Sequence, residues 1–357
     1  MWPYWFLFFL AAWRASTRLQ PVQVPTIRWP DWWWVTFAVL VLMIGLRHQV
    51  GGDWISYADL ITEAGYQSIA QAVGTGDPAY SSLNWLAART DLGPYFVNTV
   101  CAVLFAWGLV VFCRAQPRPW LALVVAMPYL VTVVAMGYTR QGTAIGLAMV
   151  GLAALSDRKI LRFVVFVVLA AAFHKSAVIL MPLAILAGTK QKLWTALWVG
   201  LSTVLFYGLL LQDSVEALTV GYIGAQYQSQ GAAIRVAMNA VPAVLFLCFR
   251  RRFVMSQEDR VFWTWMSLGA LGFVGWLVVS PSSTAVDRVA LYWIPLQLFV
   301  LSRLPNALGN RNGSNSALVR WVVGYSGAVL FVWLVFAKTA FAWLPYQFYP
   351  WVALWRW

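Results

Sequence analysis

Apolar segments follow one another from Trp2 to Ala337, and no stretch between them is long enough to carry a soluble domain. They read Trp2–Trp13, Trp32–Leu46, Leu92–Phe112, Trp120–Met136, Thr143–Leu155, Ile160–Phe173, Ala177–Ala187, Leu193–Leu211, Val236–Phe249, Val261–Val279, Val289–Leu301 and Leu318–Ala337. Inside a bilayer each backbone polar group must find its partner within the segment, so such runs become helices. A full span needs about 20 residues. The shorter runs must therefore draw neighbouring polar residues to membrane depth, tilt or break. The pattern predicts an all-α polytopic transmembrane bundle of about 10–12 spans. Residues 1–357 form a single membrane domain on this reading. Only 10% of residues are charged, against about 25% in soluble domains, so a water-soluble surface cannot be built.

The net charge of +13 does not point to nucleic acid. Basic residues fall in short clusters between apolar runs, not in one stripe or arm. About two thirds of the Lys and Arg lie in alternate gaps, the pattern of the positive-inside rule. That rule puts Arg114, Arg118, Arg158, Lys159, Arg250, Arg251 and Arg252 on the cytoplasmic side. On the opposite side Asp53, Asp59, Glu63, Asp77, Asp91, Asp213, Glu216 and Asp287 balance the basic residues one for one. The outer face then holds two long loops, about 47–91 and 212–235, and a C-terminal tail, about 338–357. The stretch from Trp54 to Val73 is moderately amphipathic and predicts a short interfacial helix. No basic n-region or cleavage site precedes Trp2–Trp13, so it reads as a first membrane segment. Cys101, Cys113 and Cys248 lack CxxC spacing and read as buried or lipid-facing thiols.

Ionisable residues at membrane depth are costly and default to function. On the outer side they interrupt the apolar runs in five patches. These are Arg47-His48-Gln49 with Gly51-Gly52-Asp53 and Tyr57, then Gly137-Tyr138-Thr139-Arg140-Gln141-Gly142, then Phe173-His174-Lys175-Ser176, then Asp287-Arg288 with Tyr292, and last Trp343-Leu344-Pro345-Tyr346. A plainer reading stands beside each. Arg47 and Arg288 could snorkel to headgroups, Asp287-Arg288 could be a structural pair, and Trp343 and Tyr346 fit an aromatic belt. Arg140 and His174 are harder to dismiss, because almost no loop surrounds them. Arginine forks suit bidentate contact with phosphate oxygens, and histidine can act as a base near neutral pH. Together they suit a lipid-linked diphosphate substrate and a sugar acceptor. Two histidines, no HExxH and no paired carboxylates make a metal site a weak reading. No phosphate-binding GxxxxGK[ST] loop occurs.

The order of these pieces resembles the EpsG family of bacterial polysaccharide polymerases, similar in role to the Wzy-type O-antigen polymerases. The resemblance runs from Gly45-Leu46-Arg47 through Val50-Gly51-Gly52-Asp53-Trp54 and Tyr57, Asp77-Pro78, Tyr80 and Asn84-Trp85. It continues through Gly137 to Gly142, Phe173 to Ala177, Asp287-Arg288 and Trp343 to Tyr346. The family often carries Glu-Arg where this chain has Asp287-Arg288, which puts that carboxylate's reach in question. The resemblance implies an inner-membrane enzyme that joins oligosaccharide repeat units on a polyprenyl diphosphate carrier. Its site would face the periplasm, fed by a flippase and tuned by a chain-length regulator. It also implies a metal-independent, cofactor-free, glycosyltransferase C-like bundle.

On that footing the expected reaction is an inverting-type transfer between two lipid-linked glycans. Arg140 and Arg288 are the expected diphosphate ligands, with Arg47 as a third. His174 is the expected base, with Asp53 in reserve. Gln141, Lys175, Tyr292, Asp287 and Tyr57 would orient groups. A lipid-linked oligosaccharide flippase or other transporter is the main alternative. An O-antigen ligase-like transferase acting on lipid A and a non-catalytic scaffold complete the set. Carriers usually show internal repeats with broken helices at matching positions, and no convincing repeat is present.

Overall fold

The computed structural model describes residues 1–17, 29–183, 197, 201, 229, 231–310 and 315–354. Among these residues the protein is all-α, and the one β pairing is an isolated antiparallel bridge between Arg47 and Phe348. Five helices are long and apolar enough to cross a membrane: Pro94–Arg114, Ala232–Phe249, Gln257–Val279, Ser283–Leu308 and Ser316–Phe336. Three shorter apolar helices, Asp31–Gly45, Pro119–Ala135 and Ile160–Phe173, accompany them. The polytopic bundle read from the apolar runs is therefore present. The run Leu193–Leu211 and most of the 212–235 loop lie outside the described residues.

The contacts divide the chain into two compact units. One comprises Met1–Val150, Leu169–His174 and Ser316–Trp357, the other Gly151–Val168 and Lys175–Asn315. In the first unit, α1 (Trp2–Thr17) and α2 (Asp31–Gly45) are followed by three short helices. These are α3 (Trp54–Gly65), α4 (Ile69–Thr75) and α5 (Pro78–Ala87). One helix is expected from Trp54 to Val73; the chain instead breaks once within that stretch, between Gly65 and Ile69, and again beyond it, before Pro78. Ser68 opens α4 with a capping box shared with Gln71, and Pro78 sits in the first turn of α5, where its missing N–H costs nothing. The Trp85 indole donates to the Gln67 carbonyl at 3.1 Å and ties α5 back onto the turn before α4.

Next come α6 (Pro94–Arg114) and α7 (Pro119–Ala126). The winding then widens into a π-helical stretch over Met127–Ala135. There the Thr132 hydroxyl donates five residues back, to the Met127 carbonyl, at 2.8 Å. Helix α8 (Thr139–Ser156) starts four residues later. Its Gly146 faces Gly108 of α6 so closely that a Cβ on Gly108 would lie 1.9 Å from the Gly146 carbonyl oxygen. Small residues that let backbones touch are how helices associate where lipid gives no hydrophobic drive. Trp33 stacks on Trp120 at 4.3 Å to lock α2 against α7.

In the second unit, α9 is Ala232–Phe249, α10 is Gln257–Val279, α11 is Ser283–Ala290 and α12 is Ile294–Leu308. Ser256 caps α10 by accepting from the Asp259 amide, and Glu258 and Asp259 occupy its first turn, where negative charge is favoured. Trp263 stacks on Phe299 at 3.7 Å. The Asn239 amide donates to the Ala290 carbonyl at 2.8 Å and accepts from Gln297 at 2.7 Å. Both ends of the buried Asn239 amide therefore have partners, which offsets the cost of burying it.

Candidate active site

In the first unit three of the five patches meet. The chain leaves α2 and turns at Gln49 (φ 51°) and Gly51 (φ 108°). The turn is then laced to the C-terminal segment. The His48 amide donates to Gln347 at 2.9 Å, the Tyr349 amide to Leu46 at 2.8 Å and the Gly51 amide to Ala342 at 2.8 Å. Gly51 must be glycine twice over: its φ is positive, and a Cβ would lie 2.5 Å from the Met136 carbonyl oxygen. A Cβ on Gly137 would meet the Trp343 ring at 2.2 Å. Trp343 and Tyr346 do not form a belt. Trp343 is buried and its indole donates to the Thr132 carbonyl at 2.8 Å. The Tyr346 hydroxyl donates to the Met43 carbonyl at 2.8 Å, and that of Tyr4 to the Trp343 carbonyl at 2.7 Å.

Arg47 lies at the centre of this knot and is only 1% exposed. Its Nε donates to the Val50 carbonyl at 3.2 Å and its Nη1 to the Ile44 carbonyl. Its Nη2 donates to Asn98 Oδ1 at 3.0 Å and to Thr139 Oγ1 at 2.7 Å. Burial pulls this guanidinium below its ordinary value, against the opposing pull of Tyr57 and Tyr80. Four acceptors keep a buried cation affordable. Read from the sequence as a third diphosphate ligand, Arg47 directs all these donors into the protein.

Arg140 has the opposite setting. Thr139, Arg140 and Gln141 are the first residues of α8, so the motif is helix and not loop. The Arg140 side chain is 39% exposed, and its Nη1 lies 3.2 Å from Oδ2 of the buried Asp77. The guanidinium sits 5.6 Å from the Tyr80 ring centre and 5.9 Å from that of Tyr57, close enough for cation–π attraction. Together with Glu63, Gln67, Asp77, Tyr80 and Asn84 it lines a cleft of about 230 Å³. Asp77, read from the sequence as an outer-face charge and as part of the Asp77-Pro78 pair of the family resemblance, is the partner that fixes Arg140. Its signal was the Asp-Pro pair that opens α5.

The other expected residues of this unit are Asp53, Tyr57, Gln141 and His174. Asp53 is half-buried at the start of α3 and makes no side-chain cap there. Tyr57 and Gln141 are buried. His174 is half-buried just past the helix Ile160–Phe173, its amide donating to Ala170 at 2.9 Å. The second histidine, His48, named in the first patch without a role of its own, is buried with Nδ1 2.5 Å from the Tyr95 hydroxyl. Tyr95 in turn stacks on Tyr349 at 3.7 Å.

Lys175, Asp287, Arg288 and Tyr292 belong to the second unit. Asp287 is expected beside Arg288, but its carboxylate is taken by Arg235, which reaches it at 2.6 Å through Nε and 2.7 Å through Nη2. The Ser229 hydroxyl adds a third bond at 3.0 Å. The fork is bidentate and nearly buried, a geometry that holds structure as firmly as it binds ligands. Tyr292 is buried, and the Ser176 hydroxyl donates to its oxygen at 3.3 Å. Arg288 is half-buried in the last turn of α11, and Lys175 is half-buried at the start of a short 3₁₀ turn. Among the described residues, no group of three or more His, Cys, Asp or Glu could hold a metal ion.

A family model described as EpsG family matches residues 32–348. Among curated proteins and among solved structures, nothing matches the chain. The match takes in every motif of the first unit described above, from Arg47 to Trp343. The chain belongs to the EpsG family, a Wzy-like polymerase family of polysaccharide biosynthesis.

Proposed function

From this membership we propose that the protein, a multi-pass membrane polymerase of polysaccharide biosynthesis, joins oligosaccharide repeat units carried on polyprenyl diphosphate. The reaction runs at the periplasmic face of the bacterial inner membrane, with a flippase supplying substrate and a chain-length regulator acting on product. The observation that carries the reading is Arg140: a guanidinium at the head of a helix, held by Asp77 from one side and left open to a cleft.

In the proposed step the acceptor hydroxyl loses its proton to a base and its oxygen attacks the anomeric carbon of the donor. The bond from that carbon to the diphosphate oxygen breaks, and its electron pair leaves with the polyprenyl diphosphate. Negative charge therefore grows on the leaving oxygen. A preorganised cation in a site poor in water stabilises that charge more than it does the ground state. Arg140 has this role. Arg47 acts through Thr139, whose hydroxyl it holds one residue before Arg140, and so positions Arg140 without touching phosphate. His174 is the proposed base and Asp53 the reserve, while Tyr57 and Gln141 orient their neighbours. The positive charge is assigned to arginine and not to a metal ion, because the chain offers two histidines and no ligand spacing for one.

The test supplies purified protein with the lipid-linked repeat unit of its host and follows laddered product on a gel. Elongation by the wild type is expected, with His174→Ala and Arg140→Ala both strongly impaired. Elongation by His174→Ala at the wild-type rate would take the base role from His174. Transbilayer flux of the repeat unit in liposomes, with no elongation, would replace the polymerase by a flippase.

A further inference from the structure

The cleft beside Arg140 carries two polar atoms that the polymerase step above does not use. Tyr80 Oη and Asn84 Oδ1 belong to side chains only 2% and 4% exposed. Neither atom has a hydrogen-bond partner among the described residues. Both residues line the cleft, one helical turn apart on α5; Asp77, just before α5, and Arg140, on α8, line it too. A buried donor or acceptor without a partner costs about 1–3 kcal/mol. Two such groups, side by side on one wall, are tolerated where a ligand completes them.

The chemistry of the wall selects the ligand. Asn84 Oδ1 accepts, as do the carboxylates of Asp77 and Glu63, so the ligand must bring hydroxyl or amide hydrogens. Arg140 and the Tyr80 hydroxyl donate, so it must also bring oxygens. Burial pushes the Tyr80 phenol well above its ordinary value, so it keeps its proton. A fully ionised phosphate offers acceptors only; it would suit Arg140 and Tyr80 but would lie against Asp77, Glu63 and the Asn84 oxygen. A sugar ring offers both kinds of group from each hydroxyl. Its C–H face also fits the apolar part of the wall, formed by Leu60, Ala64 and Ala72. The volume, about 230 Å³, falls below the roughly 300–1,000 Å³ of sites for drug-sized ligands. It suits one sugar residue, not a whole repeat unit.

We propose that the cleft between α3, α4, α5 and Arg140 is a saccharide subsite, in which Tyr80 and Asn84 bind the hydroxyls of a single sugar residue and so set which repeat unit is accepted. This rests on the polymerase reading and deepens it: Arg140 stands at the border of the subsite, so the sugar bound there lies beside the cation that the proposed step uses.

The test uses the full-length protein in nanodiscs and two probes. One is the repeat-unit oligosaccharide released from its carrier by mild acid; the other is inorganic pyrophosphate. Tyr80→Phe and Asn84→Ala are each expected to weaken oligosaccharide binding about tenfold, the value of one hydrogen bond of the stronger kind, while pyrophosphate affinity stays within about twofold. Because the Tyr80 hydroxyl has no protein partner, Tyr80→Phe is expected to melt at the wild-type temperature or above, so a binding loss cannot be charged to misfolding. Unchanged oligosaccharide affinity in both variants overturns the subsite. So does equal loss of pyrophosphate binding, or no oligosaccharide binding by the wild type, which leaves only water in the cleft. The two readings also fail separately. Binding that depends on Tyr80 and Asn84 without any elongation removes the polymerase and keeps the subsite; elongation by both variants with wild-type KM and kcat removes the subsite and keeps the polymerase.

Discussion

Arg47 and Arg140 carry the same sequence signal, an arginine at the edge of an apolar run, and the fold gives them opposite settings. Arg47 is 1% exposed and donates to four protein oxygens. Arg140 is 39% exposed, has one ion-pair partner and stands on a cleft. A guanidinium has five N–H donors, so its partners tell what it is for. Where protein oxygens take nearly all of them, the arginine is a brace. Where a carboxylate and a tyrosine hold it and a cleft adjoins, it is held in readiness. Arg235 in the second unit is of the first kind, since its fork is closed on Asp287 and Ser229.

The sharpest break of this comparison is Arg47→Ala. It strips the partners from Asn98, Thr139 and two buried carbonyls, and each buried acceptor left without a partner costs about 1–3 kcal/mol. Loss of folded protein is expected, seen as aggregation on size exclusion after detergent extraction. Arg47→Lys should not rescue it, because one ammonium cannot reach all four acceptors in the places a planar fork does. Arg140→Ala is expected to do the reverse: a well-behaved, folded protein whose elongation rate falls about 10²–10³-fold, the usual cost of losing one preorganised donor at a developing anion. Asp287→Asn tests whether Arg235 is a brace. It weakens a charge-assisted fork by about 1.5–3 kcal/mol, and a lower thermal midpoint with wild-type KM is the expected outcome. The mildest is Tyr4→Phe, which removes one buried hydroxyl bond to Trp343. About 0.5–1.5 kcal/mol of stability should go, with elongation at the wild-type rate; a large loss of activity would mean that the knot around Arg47 is itself catalytic.

The bundle was legible in the sequence because apolar runs leave a chain in lipid no choice but helix. The edges of helices were less legible: the apolar runs begin at Leu92, Trp120 and Val261, whereas the helices begin where a proline or a cap marks them, at Pro94, Pro119 and just after Ser256. The break of Trp54–Val73 into separate helices was also written there, in the Ser68–Gln71 capping box, which the amphipathic pattern overshadowed. The candidate residues were legible as a list, since polar groups in apolar runs stand out. Their pairings were not. Arg47 meets Thr139 across 92 positions, Arg140 meets Asp77 across 63, and Tyr4 meets Trp343 across 339. Spacing along one helix says nothing about contacts at that range. So Asp77, Asn98 and Arg235 went unassigned although each closes one of the arginine sites. His48 went unassigned because an isolated histidine in a sequence gives no hint of a tyrosine partner.

The central claim is that Arg140 meets substrate while Arg47 holds the frame. The most direct measurement is elongation per folded molecule: purified Arg140→Ala, matched to wild type by size exclusion and thermal midpoint, given the lipid-linked repeat unit. The account predicts an unchanged midpoint and a rate down by about 10²-fold or more. Wild-type elongation, or a rate that falls only in step with the midpoint, would contradict it.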